Sequence, residues 1–195
     1  MGAGSGRRAV FFDRDGVINR NVLNAATGEY ESPLIEDDFE LIPGALDAMR
    51  AIQLAGYLLF LVSNQPNYAK GKCSFVILDA IHEKLLGELT REGIKVSRFY
   101  YCFHHPHGTI PGYSRSCECR KPSPYFVLRA CSEFNLDLCR SWMVGDRRTD
   151  VECGKAAGVR TILIHDGEID PQDGAHPDRF APDLLRAARL ILSTG

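Results

Sequence analysis

Val10-Phe11-Phe12-Asp13-Arg14-Asp15-Gly16 is a short apolar run that ends in two aspartates one residue apart and then in a glycine. The apolar part reads as a strand. In extended backbone, side chains two apart point the same way, so Asp13 and Asp15 face one direction, and Gly16 lets the chain turn sharply beside a ligand. Two carboxylates so placed repel each other, and a divalent cation or a shared proton offsets that charge. Taken alone, the pair reads equally as a strand running into a polar turn.

Three further segments repeat the pattern of an apolar strand followed by a reactive group. Tyr57-Leu58-Leu59-Phe60-Leu61-Val62 ends in Ser63-Asn64-Gln65, a hydroxyl and two amides suited to an anion. Arg120-Lys121-Pro122-Ser123 places two cations before a helix start, where proline and serine are favoured. Trp142-Met143-Val144 runs into Gly145-Asp146-Arg147-Arg148-Thr149-Asp150. In open α/β sheets ligands bind at the carboxyl ends of the strands, so these segments are expected to converge in one crevice.

The order D-x-D-G, strand-Ser-Asn, Lys-Pro and G-D-x-x-x-D resembles the haloacid dehalogenase superfamily of phosphatases, from Val10 to about His165. The resemblance implies that Asp13 is the nucleophile and Asp15 the general acid and base. It gives Ser63 and Lys121 the phosphoryl oxygens. It implies a catalytic Mg²⁺ held by the Asp13 carboxylate, the Asp15 backbone carbonyl and Asp146, with Asp150 orienting its neighbours. The chemistry agrees, because an anionic nucleophile approaching a phosphate monoester needs cationic charge between the two.

Tyr101-Cys102-Phe103-His104-His105-Pro106-His107 and Cys117-Glu118-Cys119 together read C-x-H-x12-C-x-C. Three thiols and an imidazole match a closed structural zinc site, with Cys102, His104, Cys117 and Cys119 as ligands and His105 and His107 as competitors. A disulfide or ordinary buried cysteines are the alternatives, and the odd total of seven cysteines counts against full disulfide pairing. Cys73, Cys131, Cys139 and Cys153 have no partner spacing.

This loop running into Cys119-Arg120-Lys121-Pro122 is similar to two branches of small bacterial phosphatases. One acts on D-glycero-D-manno-heptose 1,7-bisphosphate, the other on histidinol phosphate. The long span from His104 to Cys117 resembles the heptose branch, which implies removal of the 7-phosphate during nucleotide-activated heptose synthesis for lipopolysaccharide or other surface glycans. Histidinol phosphate or another small sugar phosphate is the alternative substrate, and a non-catalytic binding scaffold is the third reading. Asn64, Gln65, Arg120 and Arg147 are the expected substrate contacts, although Arg147 reads equally as a solvated arginine. The branch's usual Thr-Asn-Gln-Ser-Gly is here Ser63-Asn64-Gln65-Pro66-Asn67, and Pro66 removes a backbone donor. The stretch Arg20 to Tyr30 looks longer than the branch's and aligns with nothing in it.

A chain of 195 residues with 45% hydrophobic content supports one substantial core. We expect a flexible tail over residues 1–8 and one haloacid-dehalogenase-like phosphatase domain over residues 9–195. Helical patterns alternate with strands, giving an α/β fold with a central parallel sheet in a single Rossmann-like three-layer domain that carries the zinc-binding loop. Helices are expected between Pro43-Gly44 and Gly56, through Leu78, Ile81, Leu85 and Leu89 as far as Gly93, over Ser123 to Phe134, over Thr149 to Ala157, and over Leu184 to Leu192. Arg160 to Ile164 reads as a final central strand and Asp166 to Pro182 as a surface loop.

Val17 to Ile42 is shorter than the roughly 50 residues an independent cap domain needs, so no large cap is expected and substrate choice falls to loops. A net charge of −2 and a pI near 6.3 show no global cationic field, against a nucleic-acid or anionic-membrane partner. The expectation is a cytoplasmic monomer that binds a small phosphorylated sugar.

Overall fold

The computed structural model describes residues 6–25, 28–165 and 176–194. At its centre lies β1 (Ala9–Phe12), whose four side chains are all fully buried. It pairs in parallel with β4 (Leu58–Asn64) on one side and with β6 (Trp142–Gly145) on the other. Beyond β4 lies β5 (Val96–Cys102); beyond β6 lie β7 (Arg160–Ile164) and β8 (Arg179–Ala181). Among the described residues this is a six-stranded sheet in the order β5-β4-β1-β6-β7-β8, parallel throughout.

The period-two alternation of β1 divides the core into two layers. Val10 and Phe12 pack with α1 (Ala45–Leu54), α2 (Phe75–Arg91) and α5 (Leu184–Leu192). Ala9 and Phe11 pack on the opposite face with α3 (Tyr125–Phe134) and α4 (Arg148–Ala157). There the Phe11 and Phe60 rings stack at 5.0 Å, and Phe134 meets Phe60 edge-on. The three-layer α/β sandwich is therefore as expected.

Local chemistry sets the helix ends. The Ser74 hydroxyl accepts from the Ile77 amide at the start of α2, and the Asp183 carboxylate does the same for Arg186 at the start of α5.

From β1 the chain moves to β4 on one flank and later to β6 on the other. The strand order therefore reverses at β1, and such a reversal opens a crevice at the carboxyl ends of the strands. Asp13 leaves β1 at that point.

Strand β7 is central as expected, paired on both sides, but it is not the final strand, because β8 pairs with it inside the stretch read as a surface loop. Strand β8 is only three residues long with two of them exposed, so it has no apolar run to reveal it. Residues 166–175 of that stretch lie outside the described residues. Likewise, the expected tail is tied down from Arg7, whose backbone amide donates to Asn135 O at 3.0 Å and whose carbonyl accepts from Asp137 N at 2.9 Å. Arg8 lies over the Tyr57 ring and donates to Ala55 O. Residues 1–5 are outside the described residues. Finally, the stretch from Arg20 to Tyr30, with Glu31, carries an antiparallel hairpin, β2 (Val22–Asn24) with β3 (Glu29–Glu31), separate from the main sheet. It lies within the stretch Val17 to Ile42, which is too short for an independent cap domain.

Candidate active site

The carboxyl ends of β1 and β6 deliver Asp13 and Asp146 to one place, and the loop before α3 brings in Lys121; Ser63, buried near the end of β4, accepts from Gln65 Nε2 and is not among the residues that line the cavity. The Lys121 ammonium is 3.0 Å from Asp13 Oδ1 and 2.6 Å from Asp150 Oδ1, and it donates to Val62 O at 2.7 Å. A fully buried ammonium needs such partners, and here two carboxylates and a carbonyl use its three donors. Together Asp13 and Asp150 hold Lys121 above its ordinary pKa despite the burial that opposes it.

Asp13, Asp146 and Asp150 each bring one carboxylate oxygen within 4.8 Å of the others. Burial, reinforced by the neighbouring carboxylates, pushes Asp13 up to about 6 and Asp146 up to about 7. Asp146 Oδ2 accepts from Asn21 Nδ2, whereas its buried Oδ1 has no hydrogen-bond partner and the Arg147 Nε stays 3.9 Å away. Clustered carboxylates with an unpaired buried oxygen fit a hard divalent cation, which takes oxygen ligands. Asp150, a member of the same cluster, contacts Lys121 and accepts from the Arg147 amide. Backbone space around this cluster is tight. Gly16 has φ 81°, and a Cβ there would run into the Asp146 carboxylate; a Cβ at Gly145 would strike Asp150. Only glycine fits either position.

Asp15 lies in a different environment. Its Oδ1 accepts from Arg14 Nε at 3.1 Å, Arg14 Nη2 at 2.9 Å and Asn19 Nδ2 at 2.9 Å, and its Oδ2 accepts from Gln65 Nε2 at 2.6 Å. Burial alone raises its pKa, but the Arg14 charge and these hydrogen bonds outweigh it and bring Asp15 below its ordinary value. The two aspartates of one motif are thus driven in opposite directions by their surroundings.

Other expected site residues have more local duties. Asn64 spends its side-chain amide on the Lys121 backbone, donating to the carbonyl at 3.1 Å and accepting from the amide at 3.0 Å, though it also borders the cavity. Gln65 is buried and bonds Asp15, Arg14 and the Ser63 hydroxyl. Its amide is turned to that network. Arg120 and Arg147 line the cavity; Arg120 also donates to His104 O. Sequence reasoning missed Arg14, Asn19 and Asn21. A cation between two aspartates was the available signal for Arg14.

The cavity has a volume of about 290 Å³. Its floor carries Asp13, Asp15 and Lys121, while Lys70, Arg120, Arg147 and Arg148 add cations around it. The β2–β3 hairpin contributes Glu29, Tyr30 and Glu31 to the wall.

Beside this cavity, Cys102, His104, Cys117 and Cys119 gather their ligand atoms in one cluster. The three sulfur–sulfur distances are 3.3–3.5 Å, and His104 Nδ1 lies 3.9 Å from Cys102 Sγ and 3.6 Å from Cys119 Sγ. All are free thiols, so the disulfide alternative is not realised. His104 is the clustered imidazole, whereas His105 Nδ1 accepts from the His107 amide. The four residues form a cluster that could hold a metal ion, of the type Cys₃His. The loop between them packs on residues 65–72: Thr109 and Ile110 amides donate to Ala69 O, and Tyr113 meets Tyr68, Phe75 and the His104 ring.

Comparison with known proteins agrees with this geometry. A family model described as HAD-hydrolase-like matches residues 118–187. The D-glycero-beta-D-manno-heptose-1,7-bisphosphate 7-phosphatase of Rhodopseudomonas palustris is 36% identical, covering 84% of this chain and 87% of that protein. Its counterpart in Vibrio cholerae is 38% identical over 91% of this chain and 92% of that protein. Among solved structures, D,D-heptose 1,7-bisphosphate phosphatase from B. bronchiseptica, complexed with magnesium and phosphate, superposes with a TM-score of 0.78 at 28% identity, covering 96% of this chain and 99% of that one. A HAD-like phosphatase from Mesorhizobium loti gives 0.77 at 29% identity, covering 98% of this chain and 91% of that one. With a buried lysine held between two aspartates and an acidic cluster at the ends of a parallel sheet, and with relatives of this identity and coverage, the chain belongs to the haloacid-dehalogenase-like phosphatases, alongside the heptose-1,7-bisphosphate 7-phosphatases.

Proposed function

We propose that this protein is a Mg²⁺-dependent phosphatase that removes the 7-phosphate of D-glycero-D-manno-heptose 1,7-bisphosphate, in the synthesis of nucleotide-activated heptose. The observation that carries the chemistry is Asp13 at the cavity floor, one oxygen 3.0 Å from a fully buried lysine and within reach of the half-partnered Asp146. The curated relatives carry the substrate in their names, and the beta anomer is accordingly the expected form. A cytoplasmic monomer fits this reading; among the described residues no helix is long and apolar enough to cross a membrane.

In this mechanism a carboxylate oxygen of Asp13 attacks phosphorus, the bond from phosphorus to the sugar oxygen breaks, and an aspartyl-phosphate forms. Lys121 and Ser63 steady the phosphoryl oxygens. A Mg²⁺ held by Asp13, Asp146 and the Asp15 carbonyl would supply positive charge between two anions and align the attack. Asp15 gives its proton to the leaving alkoxide and then removes one from the water that hydrolyses the intermediate, which frees Asp13. Because Arg14, Asn19 and Gln65 favour the ionised form of Asp15, it is set up as the base of the second step. For the first step its proton has to come with the substrate, and an alkyl phosphate with a pKa of about 6 carries one part of the time. The Cys102, His104, Cys117, Cys119 cluster would hold structural Zn²⁺ and fix Arg120 and Lys121 at the cavity.

Phosphate release with Mg²⁺ is expected to be at least about 10²-fold faster, as kcat/KM, from heptose 1,7-bisphosphate than from histidinol phosphate. The reverse order selects the histidinol reading, and no turnover of any phosphomonoester selects a binding scaffold.

Metal removal tests the carboxylate cluster separately. Asp13 and Asp146 have folded pKa values above the ordinary carboxylate value, so the folded state binds more protons than the unfolded one between about pH 4 and about pH 7. Stability in a chelator should therefore fall as pH rises through that window. Mg²⁺ should raise the thermal midpoint more near pH 8 than near pH 5. An equal Mg²⁺ effect at both would exclude these carboxylates as its ligands.

A further inference from the structure

Tyr30 is 64% exposed on a strand that borders the catalytic cavity. Among the described residues neither its ring nor its hydroxyl has a hydrogen-bond or ring partner. A rigid aromatic face left open to water on a cavity wall gains by being covered, and the C–H face of a sugar ring is an apolar surface of matching shape. The backbone beneath it is held firmly. Glu31 pairs with Lys72 at 2.5 and 2.6 Å and also accepts from Asn24 Nδ2 at 2.9 Å, which ties the two hairpin strands to each other and to the loop after β4. Asn67 adds a second tie, from the same loop to Ser32 O. This ion pair is better shielded than an ordinary surface pair, with the Glu31 side chain only 12% exposed.

Arg20, Asn21, Val17 and Asp146 border a neighbouring cavity that Tyr30 also lines. The tyrosine thus lines both the cavity that holds Asp13, Lys70 and Arg120 and the neighbouring one that holds Asp146. A molecule with its phosphate on Asp13 and its carbon skeleton leaving the floor passes this wall.

We propose that the β2–β3 hairpin, fastened by the Glu31–Lys72 pair, selects the carbon skeleton of the substrate, with Tyr30 stacking on the sugar ring as the specificity-determining residue. The assignment rests on the heptose bisphosphate reading above. Tyr30 binds the ring; Glu31 and Lys72 are positioning residues that act through it. Because the ring contact is made equally before and during phosphoryl transfer, its loss raises KM and leaves kcat in place.

The experiment compares kcat/KM for heptose 1,7-bisphosphate with that for glycerol 3-phosphate, which has no ring. Tyr30→Ala should lower the ratio of the two about tenfold, or ~1.4 kcal/mol of binding, with the change in KM for the heptose. Tyr30→Phe should keep the ratio. Lys72→Met should lower it as Tyr30→Ala does, and Lys72→Arg should restore it. Equal losses on both substrates, or loss in kcat alone, would mean that the hairpin supports the catalytic floor and does not select. A wild-type enzyme that ignores heptose bisphosphate overturns the parent reading and this one with it. A wild type that accepts it while Tyr30→Ala leaves the ratio unchanged overturns the hairpin assignment alone.

Discussion

Asp13→Asn should remove turnover almost completely, by roughly 10⁶-fold, because a covalent nucleophile is lost and no neighbouring group takes its place. The same substitution should not unfold the protein. An asparagine oxygen still accepts from the Arg14 amide, which now reaches Asp13 Oδ1 at 2.7 Å, and Lys121 keeps its contact with Asp150. Two effects oppose each other in the fold. Asp13 is pushed up to about 6, so near pH 7 a neutral amide relieves the cost of its buried charge, but the buried Lys121 ammonium loses one of its two carboxylate partners. In a chelator near pH 7.5 the variant should therefore remain folded, while gaining less from Mg²⁺ than wild type. Turnover near the wild-type rate would rule out the covalent route; an undiminished gain from Mg²⁺ would remove Asp13 from the metal's ligands.

Cys117→Ser carries the second large effect. In a four-ligand structural site the remaining three groups bind zinc far more weakly, and the binding energy of such a site is folding energy for the segment it closes. That segment packs through Tyr113 on Tyr68 and Phe75, and the backbone after it bears Arg120 and Lys121. A displacement of about 1 Å at a catalytic lysine costs on the order of 10² in rate, so kcat/KM should fall by about that factor. The sheet should persist, because none of its core residues belongs to this loop except Cys102 at the end of β5. Zinc content by elemental analysis and far-ultraviolet circular dichroism separate the two effects. Full zinc content in the variant would remove Cys117 from the ligand set.

Much of the architecture was legible in the sequence because the central strands are continuous apolar runs and their helices carry regular spacing. Asp13 and Asp146 were legible for the same reason, each directly following such a strand, and Asp150 lies in the first turn of α4; Lys121 was legible from its Arg120-Lys121-Pro122 motif. What escaped was set by tertiary contact. The hairpin strands, Val22-Leu23-Asn24 and Glu29-Tyr30-Glu31, are too short for a periodic signal, and their position depends on Lys72 some forty residues away. Strand β8 joins the sheet through pairing with β7, with only Ala181 buried. Gln65 reads as a substrate contact in sequence, yet folding buries it beside Asp15, where three polar partners meet its side chain. The sign of the Asp15 shift depended likewise on Arg14 folding back onto its neighbour.

The β2–β3 hairpin has a kinetic consequence. A cap domain must swing aside on a hinge for each catalytic cycle, which ties turnover to microsecond-to-millisecond rearrangements and often to product release. A small ribbon clamped in place has no such cycle to complete. Solvent viscosity should therefore leave kcat largely untouched, and the tempo of the enzyme should be that of bond making at phosphorus.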